Sequence, residues 1–171
     1  MAAVSMALAL TLSGCSLSKD QPPAPAGQAD PGPTNPGTAA GFTAETISGD
    51  AVTIPDGRPS VVLFFSVECG GCGPTANALA QAQADNPDAA DYAVVDVAGY
   101  ETVQDIQGFL EAYDAGALGY AIDAEGDLVA EYQVTQLSTV LILDADNQVT
   151  FRAIEPSADQ IRAELAKVTG S

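Results

Sequence analysis

The sequence predicts an α/β domain in which a sheet is covered by helices. Three observations carry that expectation. Residues 60–67 form an unbroken apolar, β-favouring run, residues 92–97 form a second, and helical patterns alternate with such runs to the end of the chain. A continuous apolar strand fits a sheet buried on both faces, and strands alternating with helices fit parallel pairing through right-handed crossovers.

The elements follow in order. Residues 42–47 and 51–54 read as a hairpin around Ser48-Gly49-Asp50, and residues 60–67 (Ser-Val-Val-Leu-Phe-Phe-Ser-Val) as the central strand. The Ala-rich stretch 75–84 contains no helix breaker and reads as helix. After the strand at 92–97, residues 102–113 set Val103, Ile106, Phe109 and Leu110 at helical spacing, which predicts an amphipathic helix with those four turned inward. A short strand at 118–122 precedes a helix of about two turns at 126–132. A closing hairpin joins 139–144 to 149–154 and adds an antiparallel edge to a mainly parallel sheet. Ser157 caps a last helix, 158–168, with Ile161, Leu165 and Val168 facing in.

Composition narrows the chemistry. The 171 residues carry 5 Lys+Arg against 23 Asp+Glu, a net charge of −18. Such a chain lacks the basic footprint of nucleic-acid binding and is repelled by anionic lipid. There is no His, which removes Ser-His-Asp and Cys-His catalysis and His-based zinc or haem ligation. No Trp and only 6% aromatic residues argue against a stacking platform. Three cysteines remain as the informative residues.

Two segments precede the domain. Residues 1–15 form an apolar leader ending in Leu12-Ser13-Gly14-Cys15. The leader is shorter than the roughly 20 residues a membrane span needs, but long enough for a secretory signal. Leu-Ser-Gly-Cys resembles a bacterial lipobox, which implies a lipoprotein signal peptide and lipidation of Cys15. No Lys or Arg precedes Cys15, and the expectation is a natural start further upstream. Residues 16–41 carry Pro22, Pro23, Pro25, Pro31, Pro33 and Pro36 among Gly, Ala, Gln and Thr, the composition of a disordered, partly polyproline tether. The expected arrangement is a lipid-anchored domain, residues 42–171, held outside the cytoplasmic membrane.

The central strand runs into Glu68-Cys69-Gly70-Gly71-Cys72-Gly73-Pro74 and then a helix. Two cysteines at this spacing can close a small disulfide ring across the first helical turn. A thiol at a helix N-terminus meets free amides and the positive end of the dipole, which favour the reactive thiolate. Cys69 is therefore expected to be the nucleophile and Cys72, one turn deeper, the resolving residue. Zinc takes about four ligands; the domain offers no His and no third Cys, which favours redox chemistry.

From Phe42 to Lys167 the chain resembles a thioredoxin-fold domain of the TlpA/ResA type, a family of membrane-tethered extracytoplasmic thiol-disulfide oxidoreductases. The resemblance rests on the hairpin before Gly57-Arg58-Pro59, the strand Val61-Val62-Leu63-Phe64-Phe65-Ser66, the Cys69-Gly70-Gly71-Cys72 turn, the insert at 100–122 and Val140-Leu141-Ile142-Leu143-Asp144. It implies a thioredoxin-like fold, a mixed central sheet flanked by helices with an N-terminal hairpin. It also implies a protein thiol or disulfide as substrate, a membrane-embedded thiol reductant as partner and no cofactor.

The chain departs from the family pattern at four places. Glu68 stands where an aromatic usually precedes the first Cys, and Gly71 where Pro precedes the second. Thr75 stands where a Glu is common, and Ser138 occupies the slot of the cis-Pro. A cis bond before Ser138 would cost about 2.5–4 kcal/mol; both isomers are left open. The backbone of Ser138 and Thr139, with Gly70 and Gly71, is expected to form the substrate groove. The helix-end amides, opposed by Glu68, are expected to lower the Cys69 pKa only modestly, giving a reducing rather than strongly oxidising pair. Asp96, at a strand end, is either an aid to proton transfer or a turn residue. Two alternatives stay open: a soft-metal module binding copper or mercury through Cys69 and Cys72, and a redox-inert scaffold with a structural disulfide.

Overall fold

The computed structural model describes residues 41–170. Cys15, the leader and the Pro-rich stretch up to residue 40 lie outside the described residues.

Eleven elements follow the predicted order: β1 (Phe42–Glu45), β2 (Ala51–Ile54), β3 (Ser60–Phe65), α1 (Cys72–Asp85), β4 (Asp91–Asp96), α2 (Val103–Ala112), β5 (Gly119–Ile122), α3 (Asp127–Glu131), β6 (Thr139–Leu143), β7 (Val149–Ile154) and α4 (Ala158–Thr169). They form one seven-stranded sheet in the order β2-β1-β5-β4-β3-β6-β7. Parallel pairing is confined to β3 with β4 and β4 with β5. β6 pairs antiparallel with β3 and β7, and β1 pairs antiparallel with β2 and β5. The sheet is thus mixed on both flanks, not mainly parallel. The opening hairpin does not stand apart but adds to the far edge through the single register pair Glu45↔Tyr120, an attachment the local sequence does not announce.

The apolar runs explain how the sheet is covered. All six residues of β3 are buried. Because side chains alternate across a strand, Val61, Leu63 and Phe65 enter one core, with Leu79 of α1, Ile106, Phe109 and Leu110 of α2 and Ile161 and Leu165 of α4. Val62 and Phe64 enter the opposite core, with Leu128 of α3, Tyr132, Leu141 and Leu143. The same split divides Tyr92 and Val94 from Ala93 and Val95 on β4.

Helix starts follow local chemistry. Thr102 and Asp105 form a reciprocal capping box at α2, and the Ser157 hydroxyl accepts from Gln160 N at α4. Val103 departs from expectation. It is the first residue of α2, ahead of the buried turn, and stays 44% exposed. Val168 is half-buried against the first core, as its spacing suggests. α3 is shorter than expected because Gly126, in the left-handed region (φ 77°), begins it only at Asp127. The Asp123 carboxylate fixes that start, accepting from Leu128 N at 3.1 Å and Val129 N at 2.8 Å.

Candidate redox site

The buried strand β3 ends at Phe65, and the chain must turn before α1 can begin. Two tight turns do this: Cys69 N donates to Ser66 O at 3.1 Å, and Cys72 N donates to Cys69 O at 3.1 Å. Cys69 and Cys72 are joined by a disulfide with their Cα atoms 5.4 Å apart. Helix α1 begins at Cys72, with Gly71 as N-cap. The helix therefore starts three residues ahead of the predicted stretch 75–84: Cys72 is its first residue, and Cys69 lies in the turn before it rather than within the first helical turn. Pro74 fits this first turn because amides there have no intrahelical partner. Cys69 is half-buried and Cys72 has no exposed surface, which matches the expected division between attacking and resolving sulfurs.

A second loop holds the turn. The Glu101 carboxylate accepts from Ser66 Oγ at 2.7 Å and from Val67 N at 2.8 Å. Next to it, the Tyr100 hydroxyl donates to Glu68 at 2.9 Å. Behind the pair, Phe65, Phe109 and Tyr113 stack in sequence, with ring centroids 5.2 and 5.0 Å apart. The Tyr113 ring lies directly on Gly73, where a β-carbon would collide with it. Gly73 is thus the residue that lets an aromatic cover the helix start beside Cys72.

On the opposite side an open groove of about 310 Å³ is lined by Gly71, Pro74, Thr75, Ala78, Glu155, Pro156 and Ser157. Beneath it, Thr75 Oγ1 donates to Gly71 O at 3.0 Å and shares a hydrogen bond of 3.1 Å with Ser138 Oγ.

No protein-family model matches the chain. The Mercury resistance operon ORF3 protein of Streptomyces lividans is 38% identical over 137 residues, which cover 77% of this chain and 72% of that protein. The chain belongs to the ORF3 family.

Solved structures place the fold of this chain. A secreted Mycobacterium tuberculosis disulfide oxidoreductase, homologous to E. coli DsbE, matches with a TM-score of 0.61 and 27% identity over 74% of this chain and 95% of that one. StoA from Bacillus subtilis matches at 0.63 and 22%, covering 74% and 96%. A thiol:disulfide interchange protein from Chlorobium tepidum matches at 0.66 and 16%, covering 81% and 99%. This chain therefore has a thioredoxin-like fold, and the close Cys69–Cys72 pair supports thiol-disulfide redox function.

The residues singled out in the sequence fall unevenly around this site. Cys69, Gly70, Gly71 and Cys72 form the turn, and Glu68 flanks it. Among the four expected groove residues, Gly71 lines the groove. Ser138 and Thr139 lie below the surface, 2% and 3% exposed. The one cis peptide among the described residues is Ile54–Pro55, so Ser138 follows a trans bond and instead adopts φ 62°. Its N–H donates to Phe64 O and its carbonyl accepts from Glu155 N, each at 3.0 Å. These backbone groups tie β3 to the β7–α4 connection. Glu101, Tyr113 and Glu155 were not singled out from sequence. For Glu155 the one available signal was a Gly at position 71 in place of the family's Pro.

Asp96, at the end of β4, pairs in register with Phe65 and is fully buried. One of its oxygens accepts from Ala98 N at 3.2 Å. Burial first, and then the neighbouring Glu101 carboxylate, push the Asp96 carboxyl up to about 7. A carboxyl whose affinity for protons is higher when folded contributes stability below its unfolded value, near 3.9, and loses it as pH rises through 7. Thermal and urea unfolding should therefore show stability falling between about pH 4 and pH 7. Asp96→Asn keeps a neutral side chain at every pH. It should reduce that slope, leaving the share of Asp91, whose carboxyl burial pushes up to about 6, and should raise stability at pH 8. An unchanged pH slope would place the buried proton elsewhere.

Proposed function

We propose that this chain is a thiol-disulfide oxidoreductase of the TlpA/ResA type. It would be anchored outside the cytoplasmic membrane through Cys15 and act as a reductant of protein disulfides. The observation that carries the reading is a half-exposed Cys69 bonded to a fully buried Cys72 beside an open groove. In the reduced state the Cys69 thiolate attacks a client disulfide, forming a mixed disulfide and releasing one client thiolate, which takes a proton. The Cys72 thiolate then attacks Cys69 Sγ, expels the second client thiolate and restores the Cys69–Cys72 bond. The client gains two electrons and two protons, and a membrane-embedded dithiol supplies the same number to reopen the pair.

A reducing direction is supported by charge. Glu68 and Glu155 lie at the turn and the groove. Each of the four described basic side chains is engaged elsewhere: Arg58 with Asp56 and Asp91, Arg162 with Asp85 and Asp159, Lys167 with Glu164, and Arg152 with the carbonyls of Tyr132 and Gln133. Negative charge near a thiol disfavours the thiolate, and a less stable dithiolate is a better donor of electrons.

The substitutions separate the two sulfurs. Cys69→Ser should abolish reduction of an insulin-type disulfide. Cys72→Ser should still attack and should accumulate a mixed disulfide on non-reducing gels. Turnover by both variants at the wild-type rate would overturn the mechanism. The anchor has its own measurement: the mature protein should partition with membranes and begin at an acylated Cys15, and Cys15→Ser should release it to the soluble fraction.

The family relationship favours a second reading, capture of Hg(II) by the reduced pair, because the 38%-identical relative is named for a mercury resistance operon. Two thiolates suit a soft ion, and binding would displace two protons from the thiols. The reduced protein should then take up one Hg(II) per chain and lose both alkylatable thiols, while the oxidised protein and Cys69→Ser should not. Capture without turnover of any protein disulfide would make this the function.

A further inference from the structure

Glu155 is the acidic residue among the seven that line the groove. It follows β7 in the left-handed region (φ 50°), and its N–H is held by Ser138 O at 3.0 Å. The next two residues are Pro156, which fixes the chain direction, and Ser157, the N-cap of α4. The backbone is therefore pinned on both sides. The side chain lies back across the active-site turn, and its carboxylate occupies the space that a β-carbon at Gly71 would fill. Gly71 has an ordinary helical φ of −86°, so no backbone conformation demands glycine there. A β-carbon there would displace the carboxylate, the far end of an exposed side chain.

That carboxylate has no ion-pair partner among the described residues. It lines a groove of about 310 Å³, room enough for a substrate side chain, immediately beside Cys72. A carboxylate with no cation beside it at the mouth of a reactive site attracts one sign of substrate and repels the other.

We propose that Glu155 is a specificity-determining residue whose carboxylate, seated on Gly71, selects clients carrying Lys or Arg next to the cysteine under attack. The inference rests on the exchange reading above and names its substrate class: disulfides in locally basic segments. Acidic flanks are rejected by Glu155 and, on the other side of the pair, by Glu68.

Three synthetic disulfide peptides that differ only in the residue after the attacked cysteine (Lys, Ala or Glu) test this with the reduced full-length chain. At low ionic strength the second-order rate constant should be about fivefold higher for the Lys than for the Glu peptide, and the ratio should shrink toward unity in about 0.5 M salt. Glu155→Gln should lower the ratio at low salt. Gly71→Ala should lower it too, because the carboxylate stays on the protein but is pushed from its seat. Circular dichroism on both variants checks that the fold is retained. Turnover of all three peptides at equal rates, or an undiminished ratio in Glu155→Gln, overturns the inference and leaves the exchange reading standing. Failure to reduce any of the three, the Ala peptide included, overturns the exchange reading and this inference with it.

Discussion

The site depends on one constraint: a strand buried on both faces must deliver its next residues into a helix within a few positions. β3 cannot bend early, because all six of its residues are packed between two cores. The reversal therefore falls on residues 66–71, and Glu101 supports it by bonding both Ser66 Oγ and Val67 N. Charge-assisted hydrogen bonds of this kind are stronger than neutral ones. They hold the turn while the Cys69–Cys72 bond opens and closes. The capping box on α2 matters for the same reason, since it fixes the helix that follows Glu101 in the chain.

Much of this was legible in the sequence. The apolar runs located β3, β4 and β6, and the spacing of Ile106, Phe109 and Leu110 located the buried face of α2. The Cys-Gly-Gly-Cys turn announced the reactive pair because its meaning lies in four consecutive residues. What could not be read was set by residues distant in the chain. The antiparallel attachment of β1 to β5 rests on one pair across the sheet, and no local pattern encodes it. The left-handed backbone at Ser138 is imposed by its bonds to Phe64 and Glu155, whereas short-range preference gives serine no reason to adopt it. Glu155 reaches Gly71 only because β7 ends beside the start of α1.

The departures from the family pattern acquire physical reasons once the chain is folded. Gly71 leaves space for a carboxylate. Thr75 uses its hydroxyl to bridge Gly71 O and Ser138 Oγ, a neutral contact in place of an acidic one. These three substitutions belong together: a glycine, a threonine and a serine make a turn that is small on its surface and hydrogen-bonded beneath.

The ring of Tyr113 resting on Gly73 has a further meaning for the disulfide. With Cys72 buried in the first core, next to the residue that carries that ring, an incoming thiolate in solution can reach the bond from one end alone, through the sulfur of Cys69. Opening the bond must then always free the same inner sulfur, whatever the relative acidity of the two. Steric shielding, set by the burial of Cys72 in the first core, decides the regiochemistry of the reaction.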